Sequence, residues 1–125
     1  MLRADDFRRI ALGMTHAVEG AHMGHPDFRV NGRIFATIHS DYEYGMVKLP
    51  PDEQQKFVRD HPTMFAPENG AWGRQGCTRV RLDATDEDTL GEAMTLAWQD
   101  AVNTRVAGRP KPKRPASPRR PSRKR

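Results

Sequence analysis

The chain has 125 residues, 36% of them hydrophobic, and this size is enough for one hydrophobic core but too small for two. A single cysteine excludes an intramolecular disulfide and suits a reducing compartment. No apolar run approaches the roughly 18 residues of a membrane span, and the first residues do not follow a signal-sequence pattern. We therefore expect one domain in a cytoplasmic protein that has no membrane partner.

The first predicted element is an amphipathic helix over residues 4–14. Its apolar residues share one helix face through i, i+3, i+4 and i+7 spacing: Phe7, Ile10, Ala11 and Met14. The polar stretch over residues 15–24 is predicted to be a loop.

Two strands over residues 27–31 and 33–39 are predicted next, joined by a tight turn. Asn31 and Gly32 suit a type I′ turn, because both central residues of that turn need a positive φ. A third strand is predicted over residues 44–49.

A short helix is predicted to begin at Pro50-Pro51 and to end near Asp60. Proline is tolerated at the first helical position, where its missing N–H costs nothing, and Pro62 disfavours helical backbone at the residue before it. A short strand over residues 63–65 and a turn over residues 67–70 follow.

The next predicted strand, over residues 76–83, has two unlike faces because apolar and polar residue types alternate along it. Thr78, Val80 and Leu82 lie on the apolar face, and Cys77, Arg79 and Arg81 lie on the cationic face.

The last helix is predicted from a broad apolar stripe that ends before Gly108, and Thr85 with Asp88 resembles its capping box. The stripe holds Leu90, Ala93, Met94, Ala97, Trp98, Ala101 and Val102. Trp98 is therefore predicted to be a core residue. Trp72, beside glycines in a loop, is predicted to pack with its indole N–H on a loop carbonyl, the alternative being an exposed ring that stacks on a base or another ring.

The fold class that buries both helical stripes most simply is α+β, an antiparallel sheet of four to five strands packed against N- and C-terminal helices. This domain is predicted to span residues 1–107. Its core is predicted to hold Phe7, Ile10, Phe28, Val30, Ile34, Phe35, Ala36, Ile38, Leu49, Val80, Leu82, Leu90, Ala97 and Trp98.

A distinctive spacing of residues runs through two segments, 24–36 and 72–82, and the strand between them. The residues that carry it are Phe28, Val30, Gly32, Phe35, Lys48, Trp72, Gly73 and Gly76. With a helix before and after, the chain resembles the MmcQ/YjbR family of small bacterial proteins over roughly residues 5–103. The resemblance implies a CyaY-like fold and DNA binding, with strand hairpins acting as wings through Arg29, Arg33 and the Arg79/Arg81 face. One departure is Cys77, which stands where such sequences usually carry a large aromatic.

Charge is divided unevenly between the domain and a tail over residues 108–125. Nine of the 21 basic residues and none of the 16 acidic residues lie in the tail, so the tail carries +9, while 12 basic against 16 acidic residues give the domain −4. The nine are Arg109, Lys111, Lys113, Arg114, Arg119, Arg120, Arg123, Lys124 and Arg125. Proline removes backbone donors and like charges repel, so the tail is predicted to be disordered.

The predicted function is weak and nonspecific binding of nucleic acid, with DNA as the expected partner, mainly through the tail. A polycation binds because each neutralised phosphate releases condensed counterions, whereas sequence is read by groups held rigidly at base edges. The candidates for phosphate contact in the domain are Arg33, Lys48, Arg74, Arg79 and Arg81. The competing interpretations are a solvated sheet face whose arginines pair with carboxylates, and a tail that only solubilises.

A function from another class is a protein-interaction or small-ligand module on the Trp72–Arg81 surface, with the tail incidental. Trp72 and Arg74 would form the ligand surface, because Gly73 and Gly76 let a ligand approach the backbone closely.

No catalytic constellation, metal site or cofactor is predicted. The nearest approach to a metal cluster, His16, His22 and His25 with Glu19, matches no compact zinc spacing. Cys77 is predicted to be a partly buried thiol, because nearby arginines alone do not make a catalytic thiol without a placed histidine. The chain also lacks a phosphate-loop or dinucleotide-binding motif, so an enzyme is the least expected class.

Overall fold

A computed structural model describes residues 2–107 of the chain. The predicted tail, with its nine cations and its predicted disorder, lies outside these residues. The elements in chain order are α1 (Ala4–Leu12), β1 (Val18–His22), β2 (His25–Val30), β3 (Arg33–Ile38), β4 (Tyr44–Lys48), α2 (Pro51–Asp60), β5 (Phe65–Pro67), α3 (Gly70–Arg74), β6 (Cys77–Arg81), a 3₁₀ turn (Leu82–Ala84) and α4 (Glu87–Ala107).

The strands form one antiparallel sheet in the order β1-β2-β3-β4-β6-β5, which confirms the α+β prediction. Helices α1 and α4 pack on one face of the sheet, and α2 lies beside α4 near the β5 edge. The sheet has six strands among the described residues, so the prediction of four to five strands was one short.

The additional strand is β1, which lies in the stretch predicted to be a loop. Four of its five residues are exposed, so no alternating apolar pattern marks it as a strand. It exists because it pairs with β2, from Val18 opposite Arg29 to His22 opposite His25. Between them, Met23 and Gly24 have φ values of 51° and 81°, which suit a tight hairpin turn.

Most elements with a strong local signal form where the sequence predicts them. The β2–β3 hairpin turns at Asn31-Gly32, with φ values of 54° and 81°, as a type I′ turn requires. Strand β5 begins at Phe65 and lies two residues later than predicted. The short helix α3 was not predicted. The predicted turn over residues 67–70 holds the end of β5 and the first residue of α3 instead.

The cap of α4 lies one residue later than predicted. Asp86 precedes the helix, and its carboxylate accepts the backbone N–H of Thr89 at 2.7 Å. The hydroxyl of Thr85 is turned inward and donates to the carbonyl of Arg81 at 2.5 Å.

The core lies between the sheet and the helices α1 and α4. The largest fully buried side chains are Phe7, Phe28, Phe35, Phe65, Ile38, Leu49, Leu82, Leu90, Met94, Val30, Val47 and Val80. All the predicted core residues are buried except Ile34 and Trp98. Trp98 is only partly buried at the rim, where its indole N–H donates to the carbonyl of Thr15 at 2.9 Å.

Candidate nucleic-acid interface

Charge is segregated between the two layers of the fold. The strands hold five Lys or Arg residues and two Asp or Glu residues, whereas α1, α2 and α4 hold five basic and nine acidic residues. One of the two strand acids, Glu19, is opposite the core residue Phe28 and bonds Arg8 of α1 at 3.1 Å, on the helix side of the sheet. The sheet is therefore the cationic layer of a domain whose formal charge is −4.

The face of the sheet away from the helices, here called the outer face, carries most strand cations. Side chains alternate between the faces of a strand, and the register places Asp27, Thr37, Met46 and Arg79 in one row on this face. Arg79 and Arg81 lie two residues apart on β6, so they share this face as predicted.

Carboxylates pair with the arginines of the outer face. The carboxylate of Asp27 accepts hydrogen bonds from Arg29 at 2.8 and 3.0 Å and lies 2.7 Å from Nδ1 of His22. Arg79 bonds Glu68 at 3.2 Å and stacks over the Tyr44 ring, 5.6 Å from its centroid. Arg81 bonds Asp83 at 2.8 Å. For these three arginines the structure has the ion-paired arrangement of an ordinary solvated face.

Burial and charge act in opposite directions on Asp27, which has no exposed surface. Hydrogen bonds from Arg29, and then from His22, hold the pKa of this carboxyl below its ordinary value, although burial raises it. The buried ion pair therefore requires the charged form of Asp27.

Asp27→Asn is expected to reduce the pH dependence of stability. Because the pKa is lower in the folded protein, ionised Asp27 contributes stability above pH about 4 that is lost as pH falls through the lowered folded-state pKa. Urea unfolding near pH 7 and near pH 3 should differ less for this variant than for the native chain. Asp5→Asn, which changes a 93% exposed carboxylate, is the control and should leave the difference unchanged. Equal pH dependence in Asp27→Asn and the native chain would contradict this account.

A second group of cations gathers at one end of the sheet. Arg33 begins β3, and Lys48 ends β4 opposite Cys77, where β6 begins. Together with Arg29 they line a cleft of about 340 Å³ against Ala97, Asp100, Ala101 and Thr104 of α4. Arg74 ends α3 just before β6, at the same end of the sheet. We call Arg29, Arg33, Lys48 and Arg74 the cationic end.

Three of the four residues of the cationic end differ from the arginines of the outer face, because they have no ion pair among residues 2–104. Among residues 2–104, the side chains of Arg33, Lys48 and Arg74 make no hydrogen bond or ion pair, whereas Arg29 is bonded to Asp27. Arg81 is not part of this group, because it lines a cleft of about 370 Å³ at the opposite end, beside the start of α1. The structure therefore brings Arg33 and Lys48 to one cleft, places Arg74 at the same end of the sheet, and leaves Arg79 and Arg81 apart from them.

Trp72 is 68% exposed, so the prediction that it packs with a bonded indole N–H was wrong. Helix α3 faces the rest of the domain through Gly73, which is buried, and the neighbouring indole projects away. The clefts formed by described residues include the two noted above and a third of about 700 Å³ between α2 and α4. None of these three is lined by Trp72 or Arg74, so the predicted ligand surface is not a concave pocket among them.

Cys77 is buried more fully than the partly buried thiol that the sequence predicts. Burial raises the pKa of its thiol, and the charge of Lys48 lowers it by less. The nearby cations therefore do not activate the thiol as a nucleophile.

The rings of His22 and His25 lie 6.0 Å apart, but no group of three or more His, Cys, Asp or Glu residues within residues 2–107 is placed to hold a metal ion. Over the same residues, no helix has the length and apolar character needed to cross a membrane.

Comparison with known proteins points to a family and a fold. A family model described as YjbR matches residues 12–100. The crystal structure of the Deinococcus radiodurans protein DR2400, a DUF419 domain, resembles the chain with a TM-score of 0.67 over 90% of this chain and 84% of that chain. Its sequence identity is 20%, so this likeness shows the fold alone. None of the curated proteins matches the chain.

Proposed function

The chain belongs to the YjbR family, and from this premise we propose that it binds nucleic acid without sequence preference, mainly through its basic tail and secondly through the cationic end. DNA is the expected partner. The match over residues 12–100 agrees with the resemblance that the sequence carries. Family membership gives the domain type, and the nucleic-acid function is supported by where the positive charge lies.

One observation carries this function: the place where the tail begins. Helix α4 ends at Ala107, and Thr104 in its last turn lines the same cleft as Arg33 and Lys48. The segment of charge +9 follows directly in the chain. The densest run of cations is thus attached beside the unpaired cations of the sheet, which favours one continuous path for a phosphate backbone.

Ion pairing ranks the cations of the domain for phosphate contact. Arg33 and Lys48 have no carboxylate partner among the described residues, so a phosphate would bind them without breaking an ion pair. Arg79 and Arg81 would first have to give up Glu68 and Asp83. We therefore expect the tail to contribute most, Arg33, Lys48 and Arg74 less, and the Arg79/Arg81 pair least.

This binding function involves no catalytic step and no cofactor. Phosphate contacts position a protein on nucleic acid and carry no sequence information, so no base preference is expected from these groups. The raised pKa of the Cys77 thiol also argues against nucleophilic chemistry there. We place this function in the cytoplasm, in agreement with the single cysteine of the chain.

Arg33→Gln combined with Lys48→Gln tests the cationic end in the full-length chain. Each lost phosphate contact should flatten the slope of log K against log salt by about 0.9, so the double variant should lose up to about 2. The matched control is Lys56→Gln with Arg59→Gln, which removes the same charge from exposed positions on α2. Anisotropy of a labelled duplex at several salt concentrations measures both slopes. An equal flattening of the slope in the two double variants would show that net charge, and not the cationic end, determines the salt dependence.

A further inference from the structure

Trp72 presents an aromatic surface that the domain itself does not use. It is 68% exposed, and among the described residues its ring has no aromatic or cation contact and its indole N–H has no acceptor. Burying an aromatic side chain is among the larger favourable contributions available to a binding surface. An exposed tryptophan is therefore a candidate binding group if the backbone holds it in place.

Backbone contacts on both sides fix the position of Trp72. A Cβ atom at Gly73 would overlap the carbonyl oxygen of Glu68, and one at Gly76 would overlap the carbonyl oxygen of Leu49. The N–H of Leu49 donates to the carbonyl of Gly76 at 2.9 Å, and the N–H of Glu68 donates to the carbonyl of Cys77 at 2.9 Å. The segment that carries Trp72 is thus clamped against the ends of β4 and β6, which lowers the entropy lost when a ligand binds the ring.

Cations lie close to Trp72 along the chain and at the same end of the sheet, although none contacts its ring among the described residues. Arg74 follows two residues later, is exposed and is unpaired among residues 2–104. Lys48 immediately precedes Leu49, whose backbone contacts Gly76. An exposed ring with cations on the same surface is the combination that binds single strands, because a base stacks on the ring while neighbouring phosphates contact the cations.

We propose that Trp72 stacks on an unpaired base, and that the protein therefore recognises single-stranded nucleic acid through a site that duplex cannot fill; this inference rests on the nucleic-acid function proposed above. In a duplex each base face is already covered by its neighbours, so the ring would have to unstack a base pair first. Stacking tolerates every base, so the site adds no sequence preference. The ligand is defined by an unpaired base with flanking phosphates, which DNA and RNA both supply.

The test compares Trp72→Ala with Trp72→Phe in the full-length chain. The probes are oligothymidylate, oligouridylate and a DNA duplex, each about 15 nucleotides or base pairs long, a length within the range of known single-strand sites. Trp72→Ala should weaken binding to a single strand by about tenfold or more and change duplex binding less than twofold, while Trp72→Phe should keep most of the affinity. The control is Tyr42→Ala, another exposed aromatic, which lines the cleft at the opposite end of the sheet and should change neither.

Two further readouts separate stacking from charge and from folding. Trp98→Phe leaves Trp72 as the only tryptophan, and its fluorescence should be quenched by single strands and not by duplex. Trp72→Ala removes no charge, so the salt slope should stay as in the native chain. A loss of affinity for either single strand that exceeds the loss for duplex supports the site. An unchanged affinity for both, or an equal loss on single strand and duplex, would overturn it. If the native chain binds no probe in a salt-dependent way, the nucleic-acid function itself fails.

Discussion

Phe28→Ala is expected to lower the free energy of unfolding by about 3–5 kcal/mol, the range for deleting a large buried aromatic side chain. Phe28 has no exposed surface, and its ring centroid lies 6.1 Å from that of Phe7 on α1. It lies on β2, opposite Ala36 of β3, so its loss would leave a cavity where the sheet meets the helices. Urea or thermal unfolding of the full-length chain measures the effect.

The control for Phe28→Ala lies on the neighbouring strand. Val18 of β1 is 59% exposed, so Val18→Ala should change stability by no more than about 0.5 kcal/mol. Trp98→Ala should cost less than Phe28→Ala, because Trp98 is only partly buried. A Phe28→Ala chain as stable as the Val18→Ala chain would show that Phe28 does not pack in the core between the sheet and α1.

Ending the chain at Gly108 is expected to have the largest effect on binding. The truncation removes all nine tail cations and leaves a domain of formal charge −4. At low salt we expect duplex affinity to fall by about a hundredfold or more. Phosphate contacts supply this much affinity, since proteins with six to ten of them lose about 10³- to 10⁵-fold in affinity between about 50 and 200 mM salt. A tail with the same residues in scrambled order should bind like the native chain, since phosphate neutralisation needs charge and not order. Loss of affinity with the scrambled tail would indicate a specific tail sequence.

The parts of the fold that were predicted correctly carry their signal within a few consecutive residues. Asn31-Gly32 specifies a hairpin turn, Pro51 begins α2, and the alternation around Val80 marks β6. Strand β1 lacks such a signal, because its residues are mostly exposed and it is held mainly by backbone pairing with β2. The Met23-Gly24 turn is the one local clue that could have indicated it.

Whether each candidate site residue is ion-paired or free, and buried or exposed, depends on contacts that the sequence does not specify. Arg79 and Glu68 are 11 residues apart, and they pair because β5 and β6 are adjacent. The exposure of Trp72 follows from the packing of Gly73 against Glu68, which no periodicity predicts. The sequence therefore identified cations suited to phosphate, and only the structure separated the paired ones from the unpaired ones.

The salt dependence of duplex binding, measured for the full-length chain and for the chain ending at Gly108, tests the central claim most directly. If six of the nine tail cations contact phosphates, the slope of log K against log salt should be steeper by about 5 for the full-length chain. The truncated chain should keep a slope of about 2 to 3, from Arg33, Lys48 and Arg74. A truncated chain with the full affinity and the full slope would contradict the account and assign the phosphate contacts to the folded domain alone.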